Sequence, residues 1–226
     1  MMKILILPGL DGTGTLLSEI VGQLTCSHEV TVARYASNQY EYQDLKAEVR
    51  DALPADDYII VAESFSGPLA VMIASEKPKA LQGVVFVATF AKTPVKVPKV
   101  LTYLVDIAPT RSRLLSRLAQ PFLMGKWATP EFTTKFKQML TTIPASTMAR
   151  RLREVLKVDV VNQLCDLDIP TIYLSARNDR LIPSKMISDF DRSLSNVIEI
   201  DGPHFLLQAN ATEASKHILE FADRLQ

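Results

Sequence analysis

Short apolar runs rich in β-branched residues recur along the chain at residues 3–7, 29–33, 58–62, 83–88, 170–174 and 196–200. Most are followed by turn-forming residues and then by apolar positions at helical spacing. Strands that alternate with helices imply a parallel sheet covered on both faces. The first helix shows the pattern: Leu16, Leu17, Ile20, Val21 and Leu24 fall on one face, with Thr13 placed as its N-cap. Residues 42–53 and 68–75 supply the next two helices, and 211–225 the last.

The alternation breaks between the fourth and fifth strands. There the chain carries helical patterns (Leu114, Leu115, Leu118; then Phe132, Phe136, Met139, Leu140) and no strand-like run. An insertion at that point reads as a helical cap over the sheet edge, at about residues 92–165. The expected architecture is a three-layer α/β/α sandwich with a mostly parallel sheet of about six strands, in a single domain covering residues 1–226. No internal repeat or low-complexity stretch interrupts it.

Composition fits that expectation. A chain of 226 residues that is 47% hydrophobic can build one sizeable core. Its two cysteines, Cys26 and Cys165, are too few for a disulfide framework and make no metal site, so neither a metal nor another cofactor is expected. The apolar N-terminal run is broken at Pro8-Gly9, too early for a signal peptide, and no run approaches the roughly 20 residues needed to cross a bilayer. A soluble, cytoplasmic protein is expected.

Charge adds one asymmetry. Acidic and basic residues balance at 25 each, yet residues 92–157 hold 13 basic residues against 3 acidic ones. The cap is thus a basic island in an otherwise acidic chain. Such a cap suits an anionic substrate, an acidic carrier protein bearing an acyl group, or an anionic membrane surface. Nucleic acid is not expected, because no aromatic and basic residues interleave on a sheet-like face.

The chemistry starts at residues 58–67, Tyr-Ile-Ile-Val-Ala-Glu-Ser-Phe-Ser-Gly. An apolar run stops at Ser64, with small residues two before it (Ala62) and two after it (Ser66). That is the form of a nucleophile elbow, a strand-to-helix turn so tight that its flanks must be small. Glu63 and Ser66 read as scaffolding of that turn.

In a parallel sheet the functional groups gather in loops at the carboxyl ends of the strands. Of the three histidines, His28 precedes its strand and His217 lies inside the last helix, whereas His204 follows the last strand. It is the candidate base. Asp179 follows the fifth strand and stands between serine and histidine in the chain. Asp201 is its rival, but only three residues from His204 it lacks room to turn back onto the imidazole.

The order Ser64, Asp179, His204 resembles that of the α/β-hydrolase superfamily, in its small single-domain serine esterases and thioesterases. Residues 8–14, Pro-Gly-Leu-Asp-Gly-Thr-Gly, look like the superfamily's oxyanion loop, with Pro8 where many members carry histidine. The resemblance implies that the backbone N–H groups of Leu10 and Phe65 form an oxyanion hole. It implies a hydrolase that cleaves small-molecule carboxylic esters or thioesters through an acyl-enzyme. The elbow departs from the family in having Ala62 and Ser66 where glycines are commoner.

Other readings compete. The same triad can pass its acyl group to an alcohol, as an acyltransferase does, and a silent member of the fold can bind ligand without turnover. Residues 8–14 could also be a dinucleotide loop, but glycines at 9, 12 and 14 have the wrong spacing, and Asp11 would sit beside a pyrophosphate. Trp127, Phe122, Leu123 and Met124 could line an acyl pocket or simply pack the core of the cap.

Overall fold

The computed structural model describes residues 1–94, 123–190 and 193–226. Six strands form one sheet: β1 (Lys3–Leu7), β2 (Glu29–Val32), β3 (Tyr58–Glu63), β4 (Leu81–Val87), β5 (Thr171–Ala176) and β6 (Asn196–Ile200). The spatial order is β2-β1-β3-β4-β5-β6, and every neighbouring pair is parallel. The helices of the body are α1 (Ser18–Leu24), α2 (Tyr42–Asp51), α3 (Ser66–Ala74) and, after the cap, α7 (Leu206–Ala209) and α8 (Ala211–Asp223). The described part of the cap contributes α4 (Pro130–Thr142), α5 (Ala145–Val155) and α6 (Val161–Cys165).

Strand side chains alternate between two cores, as the two-residue period of a strand requires. In β1, Leu5 and Leu7 join Tyr58, Ile60, Phe86 and Tyr173 against α2 and α3. Ile4 and Ile6 turn the other way and join Ile59, Val61, Val85, Val87, Ile172 and Leu174 against α1 and α8. The central strand β3 is buried along its whole length, which explains its unbroken apolar run. Helices therefore cover both faces of a parallel sheet, the three-layer sandwich that the sequence pattern predicts.

Two details differ from the sequence reading. Thr13 does not cap the first helix: the chain passes through a left-handed Gly14 (φ 67°) into a 3₁₀ turn at Thr15–Leu17 before α1 begins. Helix α3 starts at Ser66, directly behind the elbow, rather than at Pro68. The expected helical positions Leu114, Leu115 and Leu118 lie outside the described residues. Among the described residues no helix is long and apolar enough to cross a membrane. Cys26 and Cys165 are both exposed and not joined to each other.

Candidate active site

The end of β3 runs into α3 through Ser64, whose φ of 50° lies in the left-handed region that side chains seldom adopt. The strain is held from several sides. Ser64 N–H donates to the Val87 carbonyl at 2.9 Å, Gly67 N–H donates to the Ser64 carbonyl at 3.1 Å, and the Thr89 hydroxyl donates to the same carbonyl. Gly67 is the residue that the turn cannot replace, since a Cβ there would lie 2.0 Å from Thr89 Oγ1. Ser66 uses its hydroxyl to reach the Pro8 carbonyl, and Tyr35 Oη lies 2.6 Å from the same hydroxyl. Tyr42 donates to the Phe65 carbonyl at 2.9 Å and stacks on its ring.

Ser64 Oγ lies 2.8 Å from His204 Nε2, and His204 Nδ1 lies 2.8 Å from Asp179 Oδ2. The second carboxylate oxygen of Asp179 accepts the N–H groups of Leu181 (2.8 Å) and Ile182 (2.9 Å), which leaves Oδ2 for the imidazole. With Nδ1–H donating to the carboxylate, Nε2 is the free acceptor facing the serine hydroxyl. His204 is buried, whereas Ser64 is partly open to solvent. Asp201 takes no part: its carboxylate accepts from Asn178 at 3.0 Å, outside this chain of bonds. His28 Nε2 lies 3.4 Å from Asp223 and His217 Nδ1 3.3 Å from Glu220, so neither joins this chain of bonds.

The loop after β1, residues 8–14, is tied to the turn at Ser64 through the Pro8 carbonyl. Among the described residues, neither the Leu10 nor the Phe65 N–H has a hydrogen-bond partner. Beneath them lies Glu63, 3% exposed. Burial pushes its carboxyl up to about 7, helped by the nearby Asp11 and opposed by the Gln208 amide, His204 and the Gly9 N–H. Among the described residues, Glu63 Oε1 and Gln208 Oε1 each lack a hydrogen-bond partner.

The cap approaches from above His204. Phe136, Met139 and Ile143 form its buried centre, with Leu16, Leu123, Phe132 and Phe205 packed against them. Phe205, next to the imidazole, meets Phe132 and Phe136 edge-on at 6.0 Å. Leu123 thus belongs to cap packing, and Phe122 lies outside the described residues. Trp127 instead lines a surface pocket of about 290 Å³ with Lys126, Asp179, Arg180 and Pro203.

A family model described as the alpha/beta hydrolase fold matches residues 25–210 of the chain. The protein belongs to the α/β-hydrolase family. Solved structures agree on the fold over nearly the full length. An enol-lactonase from Burkholderia xenovorans LB400 is 13% identical with a TM-score of 0.84, over 98% of this chain and 91% of that one. An esterase from Thermogutta terrifontis is 17% identical with a TM-score of 0.82, over 100% and 90%. A lipase-esterase related protein from Clostridium acetobutylicum ATCC 824 is 15% identical with a TM-score of 0.79, over 97% and 93%. No curated protein matches in sequence.

Glu63, Gly67, Thr89 and Arg151 are the residues of this α/β-hydrolase that sequence reasoning either passed over or assigned elsewhere. Only Gly67 left a signal, a glycine three positions after the elbow serine where the turn packs against the next strand's end.

Proposed function

We propose that this α/β-hydrolase cleaves carboxylic esters or thioesters through an acyl-enzyme formed on Ser64. The reading rests on one observation, the continuous run of hydrogen bonds Ser64–His204–Asp179 with 2.8 Å at each step. His204 Nε2 takes the Ser64 proton as Oγ attacks the carbonyl carbon, and the carbonyl electron pair moves onto oxygen. That oxyanion is met by the N–H groups of Leu10 and Phe65. Asp179 keeps Nδ1 protonated and stabilises the imidazolium. The imidazolium then gives its proton to the departing alkoxide or thiolate, and the carbon–heteroatom bond breaks. Water enters, loses a proton to Nε2, attacks the acyl carbon and releases the acid and Ser64.

The test is labelling by a fluorophosphonate probe together with turnover of p-nitrophenyl esters and acyl thioesters of increasing chain length. Wild-type protein labels and turns over, Ser64→Ala does neither, and Asp179→Asn falls by about 10⁴ in kcat. Absence of labelling in the wild type would favour a ligand-binding member of the fold. Adding an alcohol and finding transesterification rather than acid would favour an acyltransferase.

The substrate's partner is a refinement of the same proposal. Among the described residues of the basic island, Arg151 is buried, and Lys92, Lys135 and Lys157 carry acidic partners. Lys126 and Lys137 remain exposed on the cap, with Lys126 beside Asp179 in the surface pocket. This favours an acyl group presented with negative charge, by an acidic carrier or an anionic lipid surface.

A further inference from the structure

Arg151 on α5 heads the largest side chains that are fully buried, at 1% exposure. A buried guanidinium is usually matched to a carboxylate. Among the described residues, this one donates only to backbone carbonyls: Nη1 to Leu10 (3.1 Å) and Asp11 (2.9 Å), Nη2 to Ala36 (3.1 Å) and Gln39 (3.0 Å), and Nε to Gln39 (3.2 Å). Two loops therefore converge on one planar fork. One of them carries the proposed oxyanion donor, Leu10.

The peptide that bears the Leu10 N–H joins Gly9 to Leu10. Its own carbonyl, on Gly9, accepts from Gly12 N–H at 3.0 Å, and because a trans peptide points its C=O and N–H in opposite directions, this bond fixes where the Leu10 N–H aims. The neighbouring peptides are held as well. The Pro8 carbonyl before it takes the Ser66 hydroxyl, and the Leu10 and Asp11 carbonyls after it take Arg151. The tight turn leaves no room for a side chain at Gly12, whose Cβ would lie 2.5 Å from Arg151 Nη1 and 2.8 Å from Tyr35. Its φ of 71° demands glycine independently.

We propose that Arg151 is a positioning residue of the oxyanion site, holding the Leu10 and Asp11 carbonyls from the cap so that the Leu10 N–H stays aimed at the reacting carbonyl oxygen. The inference rests on the serine-hydrolase reading above. Lysine cannot substitute, since three donors on one nitrogen do not span carbonyls from two loops. By this device the cap is coupled to the chemistry: α5 must be seated for the hole to be formed. The other bonds that α5 makes to the loop after β2, Thr147 to the Ser37 carbonyl and Arg150 to the Tyr40 hydroxyl, dock the helix without touching residues 8–12.

The experiment compares Arg151→Lys and Arg151→Met with Thr147→Val and Arg150→Ala, each checked for folding by circular dichroism. For each, kcat and KM are measured on one p-nitrophenyl ester, with inhibition by an alkyl boronic acid, which forms a tetrahedral adduct on serine, and by the product acid, which does not. The Arg151 variants should lose at least about tenfold in kcat with KM within about twofold. Boronate affinity should fall by a similar factor and product-acid affinity should hold, while Thr147→Val and Arg150→Ala keep wild-type kcat. A folded Arg151→Lys with wild-type kcat overturns the proposal, as does a loss of kcat without loss of boronate affinity. Should the Arg151 variants not fold, Gly12→Ala in the arginine-bearing chain must give the same kcat-selective loss, and a raised KM at unchanged kcat overturns the proposal. A wild type that neither labels nor turns over ends the parent reading and this one together; an active wild type indifferent to Arg151 ends this one alone.

Discussion

The Ser66 hydroxyl donates to the Pro8 carbonyl, tying the residue two beyond Ser64 to the first residue of the loop after β1. A glycine at position 66 would keep the turn and lose the tie. The departure from the commoner small-residue pattern is therefore a hydrogen bond, closed on its other side by Tyr35.

Ser66→Ala strands two buried groups, the Pro8 carbonyl and the Tyr35 hydroxyl. The expected cost is about 1–3 kcal/mol, seen as a fall in Tm of several degrees. Adding Tyr35→Phe to Ser66→Ala should lose less than the two single changes summed, because one orphan is removed with its partner. Thermal unfolding of the four proteins in that cycle measures it.

Glu63 gives a pH signature. Its folded-state carboxyl sits at about 7 against an ordinary value of 4.5, so between those values the folded chain holds a proton that the unfolded chain has released. Stability from this group is fully present below about 4.5 and is lost as pH rises through about 7, to a total of ~3 kcal/mol. Glu63→Gln should remove that slope. Denaturant unfolding at pH 5 and pH 8 should show a smaller difference in the variant than in the wild type, and equal differences would contradict the assignment.

Gly67→Ala drives a methyl onto Thr89, whose Oγ1, Cγ2 and Cβ would lie 2.0, 2.8 and 2.9 Å away. Since Thr89 also holds the Ser64 carbonyl, the strain should reach Ser64, the proposed nucleophile. A loss of about 1–3 kcal/mol in stability is expected, with a larger proportional fall in fluorophosphonate labelling rate than Ser75→Ala, a change at the far end of α3, would cause.

The exposed cap lysines predict a split in salt dependence. Turnover of an acyl group on an acidic carrier or anionic vesicle should fall steeply between low and physiological ionic strength, while p-nitrophenyl acetate is unaffected. Equal sensitivity of both would remove the charged partner from the proposal.

Much of this was legible along the chain because it is local. Apolar runs of strand length, the helical spacing of Leu17, Ile20 and Leu24, and the small residues around Ser64 each report a backbone conformation within a few residues. Parallel topology follows from the alternation, and with it the edge where His204 and Asp179 emerge. What needed the tertiary structure was every group whose role depends on a distant neighbour. Arg151 reads in sequence as one more charge in a basic island, yet it is buried on carbonyls more than a hundred residues away, which no local pattern encodes. Glu63 looks like a polar flank until the fold buries it beneath Gly9 and beside Gln208. Hydrophobic periodicity determines which face of an element is covered; only the packed chain decides what a buried polar side chain meets there, because hydrogen bonds are satisfied by position in space and not by order in the chain.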